Sequence, residues 1–208
     1  MDLLSLDGNI LLFIQDNIRN DFLTPIMEAV TLFASFGGLV WIITSLTLLI
    51  INKTRRVGLA STIAIALSGL ITNAIIKNIV NRTRPYVAID ELDPIGKLPT
   101  DSSFPSGHSS VAFAAAIAIS LSVPFIIEKK KAHLIGVLII VLASLIALSR
   151  LYLGVHYPSD VLVGTILGVI YGICGAMLSK LIYKKIDERK NTEQADMGTS
   201  SDSQDEIR

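Results

Sequence analysis

The chain has 208 residues, 51% of them hydrophobic and 17% charged, with a formal net charge of zero and a mean hydropathy of +0.59. That balance departs from an average soluble domain, and it comes with uncharged runs at 29–51, 57–76, 102–127, 132–149 and 161–179. A span takes roughly 20 apolar residues, so the pattern excludes a soluble helical core and predicts an all-α, polytopic membrane bundle of about five to six transmembrane helices.

Residues 1–20 begin polar and carry a short apolar patch, Ile10 to Ile14, without the basic start or small-residue cleavage site of a signal peptide. An interfacial helix is expected there. Leu23-Thr24-Pro25 opens another helix, and Gly37-Gly38 offers a break before the run containing Trp41. The segment 22–51 reads either as one span or as a short helix followed by a span. The run 57–76 ends in Lys77, and a polar connection follows with Arg82, Arg84, Pro85, Asp90, Glu91, Asp93 and Asp101. Pro94, Gly96 and Pro99 make it a loop, and loops of this length tend to be functional or mobile. The helix beginning near Pro105 is rich in alanine, which permits close helix approach in lipid. From Asn191 onward the chain is Ser/Asp/Glu/Gln-rich, and disorder is expected. The expected units are an interfacial segment 1–21, a membrane domain 22–186 and a tail 187–208.

Charge is sparse but patterned. Lys53, Arg55 and Arg56 lie in one connection, Lys129 to Lys131 in another, and Lys180, Lys184, Lys185, Arg189 and Lys190 follow the last run. The positive-inside rule assigns all three clusters to the cytoplasm. Alternation then brings 77–104 and 150–160 together on the outer face. The one cysteine, Cys174, lies inside an apolar run, which leaves neither a disulfide framework nor a thiolate metal site.

Three polar blocks share that outer face. Lys77 and Arg84 are seven residues apart, about two helical turns, and present one face if the helix continues between them; a snorkelling juxtamembrane cluster reads the same way. In Pro105-Ser106-Gly107-His108, Ser106 is a helix cap, Gly107 lets a ligand approach the backbone, and the free N–H groups make an anion site. His108 in that first turn is placed to give a proton to a leaving group. In Ser149 to Asp160, Arg150 offers a forked donor for phosphate. Tyr157-Pro158 opens a helix that puts Asp160 one turn from His156, where the carboxylate fixes the tautomer and leaves the other ring nitrogen as nucleophile. Cations, backbone donors, two histidines and a carboxylate on one membrane face are the inventory of phosphoryl transfer. His133, beside the lysines, reads as a solvated surface residue.

Lys77-x6-Arg84-Pro85, Pro105-Ser106-Gly107-His108 and Ser149-Arg150-x5-His156-x3-Asp160 resemble the three signature motifs of the type 2 phosphatidic acid phosphatase family, which also includes lipid phosphate phosphatases and vanadium haloperoxidases. The resemblance spans roughly 57–183. It implies a membrane phosphatase with His156 as nucleophile, Asp160 orienting it, and His108 protonating the leaving oxygen and later activating water. It also implies Lys77, Arg84, Ser106, Gly107 and Arg150 as phosphate binders, with no metal or other cofactor. Undecaprenyl pyrophosphate is the favoured substrate, because its head group is presented on the outer face. Phosphatidylglycerophosphate and phosphatidic acid are alternatives, and a non-catalytic binder or transporter is an alternative from another class. The implied partners are membrane lipids and a lipid phosphate, not nucleic acid.

Overall fold

The computed structural model describes residues 3–35 and 38–205, with side chains over 4–32 and 38–192. Every regular element in them is helical: α1 (Leu3–Asn17), α2 (Leu23–Ser35), α3 (Leu39–Ile50), α4 (Arg55–Leu67), a π-helical stretch (Ser68–Ile76) running directly into α5 (Lys77–Val80), α6 (Pro85–Ala88), α7 (Gly107–Ser122) closed by a 3-10 turn (Val123–Phe125), α8 (Lys129–Tyr152) and α9 (Pro158–Asp205). Among the described residues four stretches are long and apolar enough to cross a membrane: Arg55–Ala88, Gly107–Phe125, Lys129–Tyr152 and Pro158–Thr192. The outward side of α8 shows why lipid suits them, with Leu134, Leu138, Val141 and Leu148 each at least half exposed.

Two expectations change. The run 29–51, counted above as a crossing, is shared between α2 and α3, of 13 and 12 residues. At 1.5 Å per residue each reaches about 20 Å, short of a hydrocarbon core of about 30 Å. Gly38, at the start of α3, has a φ of 75°, a left-handed conformation that glycine adopts without steric cost; Gly37 lies outside the described residues. Among the described residues four helices are therefore long enough to span alone, with α2 and α3 as two shorter apolar helices beside them. At the other end, α9 passes the expected boundary at 186 and continues to Asp205, into the stretch expected to be disordered. That stretch keeps good helix formers among its polar residues, and Lys184 pairs with Glu188 one turn on, at 3.7 Å.

Small residues bring the long helices together. Ala112, Ala115 and Ala116 of α7 join Val57, Ala143 and Ile146 in one buried cluster, and Ala114 and Ala118 join Ala60, Ala64 and Tyr171 in another. Added Cβ atoms at Gly164 and Gly168 of α9 would lie 2.5 Å from Ser106 O and 2.6 Å from Ser110 O, so α9 rests directly on the α7 backbone. Buried hydroxyls join the same helices. Ser110 Oγ lies 2.7 Å from Ser68 Oγ and 3.1 Å from Thr72 Oγ1, which in turn donates to Tyr171 Oη at 3.3 Å.

The connections sort by end. Ser179 Oγ donates to Arg56 O at 2.8 Å and the Arg56 guanidinium stacks on Phe125 at 4.2 Å, which gathers the basic clusters at one end of the bundle. The connections 81–106 and 153–157 meet at the other.

Candidate active site

The helix that delivers Lys77 stops at Asn81, which has a φ of 45°. Lys77 and Arg84 therefore do not share the face of one continuing helix, as their spacing suggested; Arg84 precedes Pro85 at the start of α6. Asp101 of the long loop brings the two cations together. Its Oδ2 accepts from Lys77 Nζ, its Oδ1 accepts from Arg84 Nη2 at 2.6 Å, and its carbonyl accepts from Arg84 Nε at 2.8 Å. Burial alone would raise the Asp101 carboxyl, but the hydrogen bonds and charges of Lys77 and Arg84 outweigh it and hold the group down at about 2.

His156 follows the turn at Gly154, where φ is 72°, and is 1% exposed. Arg84 Nη1 donates to Val155 O at 2.7 Å and lies 3.3 Å from His156 Nε2. Arginine only donates, so Nε2 is the acceptor and the ring proton belongs on Nδ1. Nδ1 faces Asp160 Oδ2 at 3.5 Å, beyond hydrogen-bond geometry, and has no hydrogen-bond partner. Burial first, and then the charges of Arg84 and Arg150, push His156 down to about 4, against the opposing pull of Asp160. Asp160 is fully buried; its Oδ2 also accepts from the Tyr157 N–H at 2.9 Å and from Ser103 Oγ.

The start of α7 supplies the third wall. Ser106 Oγ caps it, accepting from the Ser109 N–H at 3.4 Å, and so faces into the protein. A Cβ at Gly107 would sit 2.5 Å from Asn73 Oδ1, so the Asn73 side chain lies directly against the glycine. His108 Nε2 is buried without a hydrogen-bond partner. A cavity of about 230 Å³ is lined by Lys77, Arg84, Gly107, His108 and His156, together with Asn73 and Trp41. Arg150 is not in its wall. The Arg150 guanidinium donates to Thr31 Oγ1 of α2 and lines a neighbouring cavity of about 540 Å³, which His108 also borders. The structure thus brings Lys77, Arg84, Gly107, His108 and His156 together around one space. Asp160 stands behind His156, Ser106 beneath the α7 terminus, and Arg150 on the far side of His108. Among the described residues no three His, Cys, Asp or Glu side chains are grouped to hold a metal ion.

Residues 57–185 match the sequence model of the PAP2 superfamily. The chain belongs to that superfamily. It is 32% identical over 129 residues to the undecaprenyl-diphosphatase of Sulfolobus acidocaldarius, a match spanning 62% of this chain and 58% of that one. In three dimensions it is similar to the transmembrane PAP2 type phosphatidylglycerolphosphate phosphatase of Bacillus subtilis, with a TM-score of 0.69, 28% identity, and 88% and 87% of the two chains covered. It is also similar to LpxE of Aquifex aeolicus, with a TM-score of 0.61, 28% identity, and 83% and 93% covered.

Several residues around this PAP2 site escape reasoning from motifs. Arg82 is two residues from Arg84 yet points elsewhere, its Nη1 donating to Asp160 Oδ1 at 2.6 Å. Asp101 and Ser103 are ordinary loop residues in sequence. Thr31, Trp41 and Asp7 precede the superfamily match altogether. The one signal for any of them is Arg82: a cation at the end of an apolar helix, at the end of the bundle opposite the basic clusters.

Proposed function

We propose that this multi-pass membrane protein is a lipid phosphatase that hydrolyses a phosphate or pyrophosphate ester through a phosphohistidine on His156. The observation that carries the reading is the single cavity on which Lys77, Arg84, the Gly107 backbone, His108 and His156 converge. His156 Nε2 attacks phosphorus while Asp160 holds the Nδ1 side of the ring. The P–O bond to the leaving group breaks, and His108 protonates the departing oxygen. A water deprotonated by His108 then attacks phosphorus, forming a P–O bond as the P–N bond breaks, which releases phosphate and restores His156. Lys77 and Arg84 neutralise the equatorial oxygens. Arg150 adds a third charge from the far side of His108, and Ser106 acts by fixing the α7 terminus that offers its N–H groups.

Undecaprenyl pyrophosphate is the favoured substrate, with phosphatidylglycerophosphate or phosphatidic acid as alternatives. The undecaprenyl-diphosphatase relative supports the first and the phosphatidylglycerolphosphate phosphatase structure the second. The site is proposed to face the outer side, because the basic clusters gather at the opposite end of the bundle.

The test is phosphate release by the purified protein in detergent from a panel of these lipids, with and without chelator or vanadate, a mimic of the five-coordinate phosphoryl species. Release is expected, undecaprenyl pyrophosphate fastest, insensitive to chelator and inhibited by vanadate. His156→Ala is expected to abolish both turnover and an acid-labile, base-stable phosphoprotein. Release from none of the lipids sinks the reading, and a requirement for added divalent ion sinks its cation assignment.

A further inference from the structure

Asp160 is a buried carboxylate with a cation on the side away from His156. Arg82 Nη1 donates to its Oδ1 at 2.6 Å and also to Ser159 Oγ at 2.7 Å, while the guanidinium lies 3.9 Å over the Tyr157 ring. The other arm of the fork, Nη2, donates to Asp7 Oδ2 of α1 at 2.9 Å. Asp7 is only 3% exposed, far from the motifs in sequence, and lies before the stretch matched to the superfamily. It also accepts from the Ser159 N–H at 3.0 Å and from Ser159 Oγ, in the first turn of α9, one residue from Asp160. Leu11, one helical turn further along α1, is fully buried against Leu92 and Tyr157 and keeps that helix in place.

We propose that Asp7 and Arg82 are positioning residues for His156. Arg82 clamps Asp160, and Asp7 clamps Arg82 while holding the first turn of α9 through Ser159. The charge arrangement gives the clamp a chemical role. One guanidinium stands between two carboxylates, so the cluster carries an excess negative charge, and the Asp160 Oδ2 side of it faces His156 Nδ1. A carboxylate that shared Arg82 with no one else would be more strongly neutralised and would hold the imidazole proton less well. A helix outside the signature motifs thereby sets the basicity of the proposed nucleophile. The inference rests on the His156 role given above.

The experiment uses the full chain in detergent, labelled with ¹⁵N-histidine; the three histidines are His108, His133 and His156, and His156→Gln identifies the resonance. The groups facing His156 are Asp160 of α9, Arg84 ahead of α6, Arg150 of α8, His108 of α7, and Lys77 with its partner Asp101; all stay unchanged in the variants. Asp7→Asn removes a negative charge and is expected to lower the His156 titration midpoint. Arg82→Gln removes a positive one and is expected to raise it, the double variant to return it toward wild type, and Asp7→Glu to keep it. In turnover, Asp7→Asn is expected to lower kcat roughly tenfold to a hundredfold with KM little changed, the range seen when the outer partner of an orienting group is lost. A purely structural role for the pair predicts reduced stability with the same His156 midpoint in every variant, and that result overturns the proposal. If Asp7→Asn does not assemble, the Arg82→Gln and double-variant midpoints decide alone. The titration needs no catalysis, so a wild type that releases no phosphate defeats the phosphatase reading while these midpoints still judge the clamp.

Discussion

The two histidines are both deeply placed but are differently partnered. His156 has an arginine on Nε2 and a carboxylate facing Nδ1, whereas His108 Nε2 has no hydrogen-bond partner and borders both cavities. A nucleophile needs its ring fixed, and a proton donor to a leaving group needs to reach the side from which that group departs. His108→Ala is therefore expected to slow a lipid phosphomonoester roughly 10²–10⁴-fold, but an aryl phosphate, whose leaving group needs less protonation, much less. Equal losses on both substrates, measured as kcat/KM, remove the acid role. His156 also leaves a mark on stability. Its folded value of about 4 lies below the ordinary 6.5, so the unfolded chain takes up a proton that the folded chain refuses. Stability is unaffected above about 6.5 and is lost progressively as pH falls from there toward 4. The melting temperature of the wild type should drop more across that window than that of His156→Gln; parallel curves contradict the burial argument. Both histidines were legible in the sequence because their spacing to Ser106 and Asp160 is local. Asp7, Asp101 and Ser103 were not, because their contacts form only when distant segments meet.

The seam between α7 and α9 fixes where the start of α7 sits relative to His156. At Gly168 a Cβ would meet Ser110 O at 2.6 Å, Phe113 Cβ at 2.8 Å and Ala114 N at 3.1 Å, mostly backbone that cannot turn aside. Gly168→Ala should therefore part the helices and destabilise the protein by about 1–3 kcal/mol, as overpacking does. Gly69→Ala, with nothing within 4 Å of the added atom, is the neutral control. Thermal unfolding in detergent reads the difference, and equal melting temperatures contradict close contact. The alanine content of α7 announced such packing in the sequence. The π-helical stretch Ser68–Ile76 did not announce itself, since its residues suit an α-helix as well. Nor did the left-handed Asn81 that separates Lys77 from Arg84. Both are backbone choices made by tertiary contacts.

The fold class and the gathering of the three motifs at one end of a helical bundle were readable from hydropathy and charge alone. The division of 22–51 was only half readable: Gly37-Gly38 offered a break, but composition alone could not decide whether the chain takes it, as the left-handed Gly38 does. Orientation remains a matter of charge: with three basic clusters at the end opposite the site, Lys130 should face the cytoplasm and Asp93 the outside. Cysteines introduced at these positions in a Cys174→Ser background, labelled in intact cells with an impermeant reagent, test this. Labelling expected at 93 and absent at 130 supports it, and the reverse pattern inverts the membrane placement.

Asp101 lies across Lys77 and Arg84, the cations proposed to receive phosphate. Occupancy by substrate is then an exchange of one anion for another, and the observed affinity is the difference between two attractions to the same pair of charges. A lipid phosphate brings its tail to tip that exchange, whereas inorganic phosphate, once cut free, brings only its charge and competes with a carboxylate tethered beside it. In the proposed phosphatase, Asp101 would thereby work as an ejector that limits product inhibition. Asp101→Asn should make inorganic phosphate a tighter competitive inhibitor, and an unchanged inhibition constant would show that the carboxylate yields its place without cost.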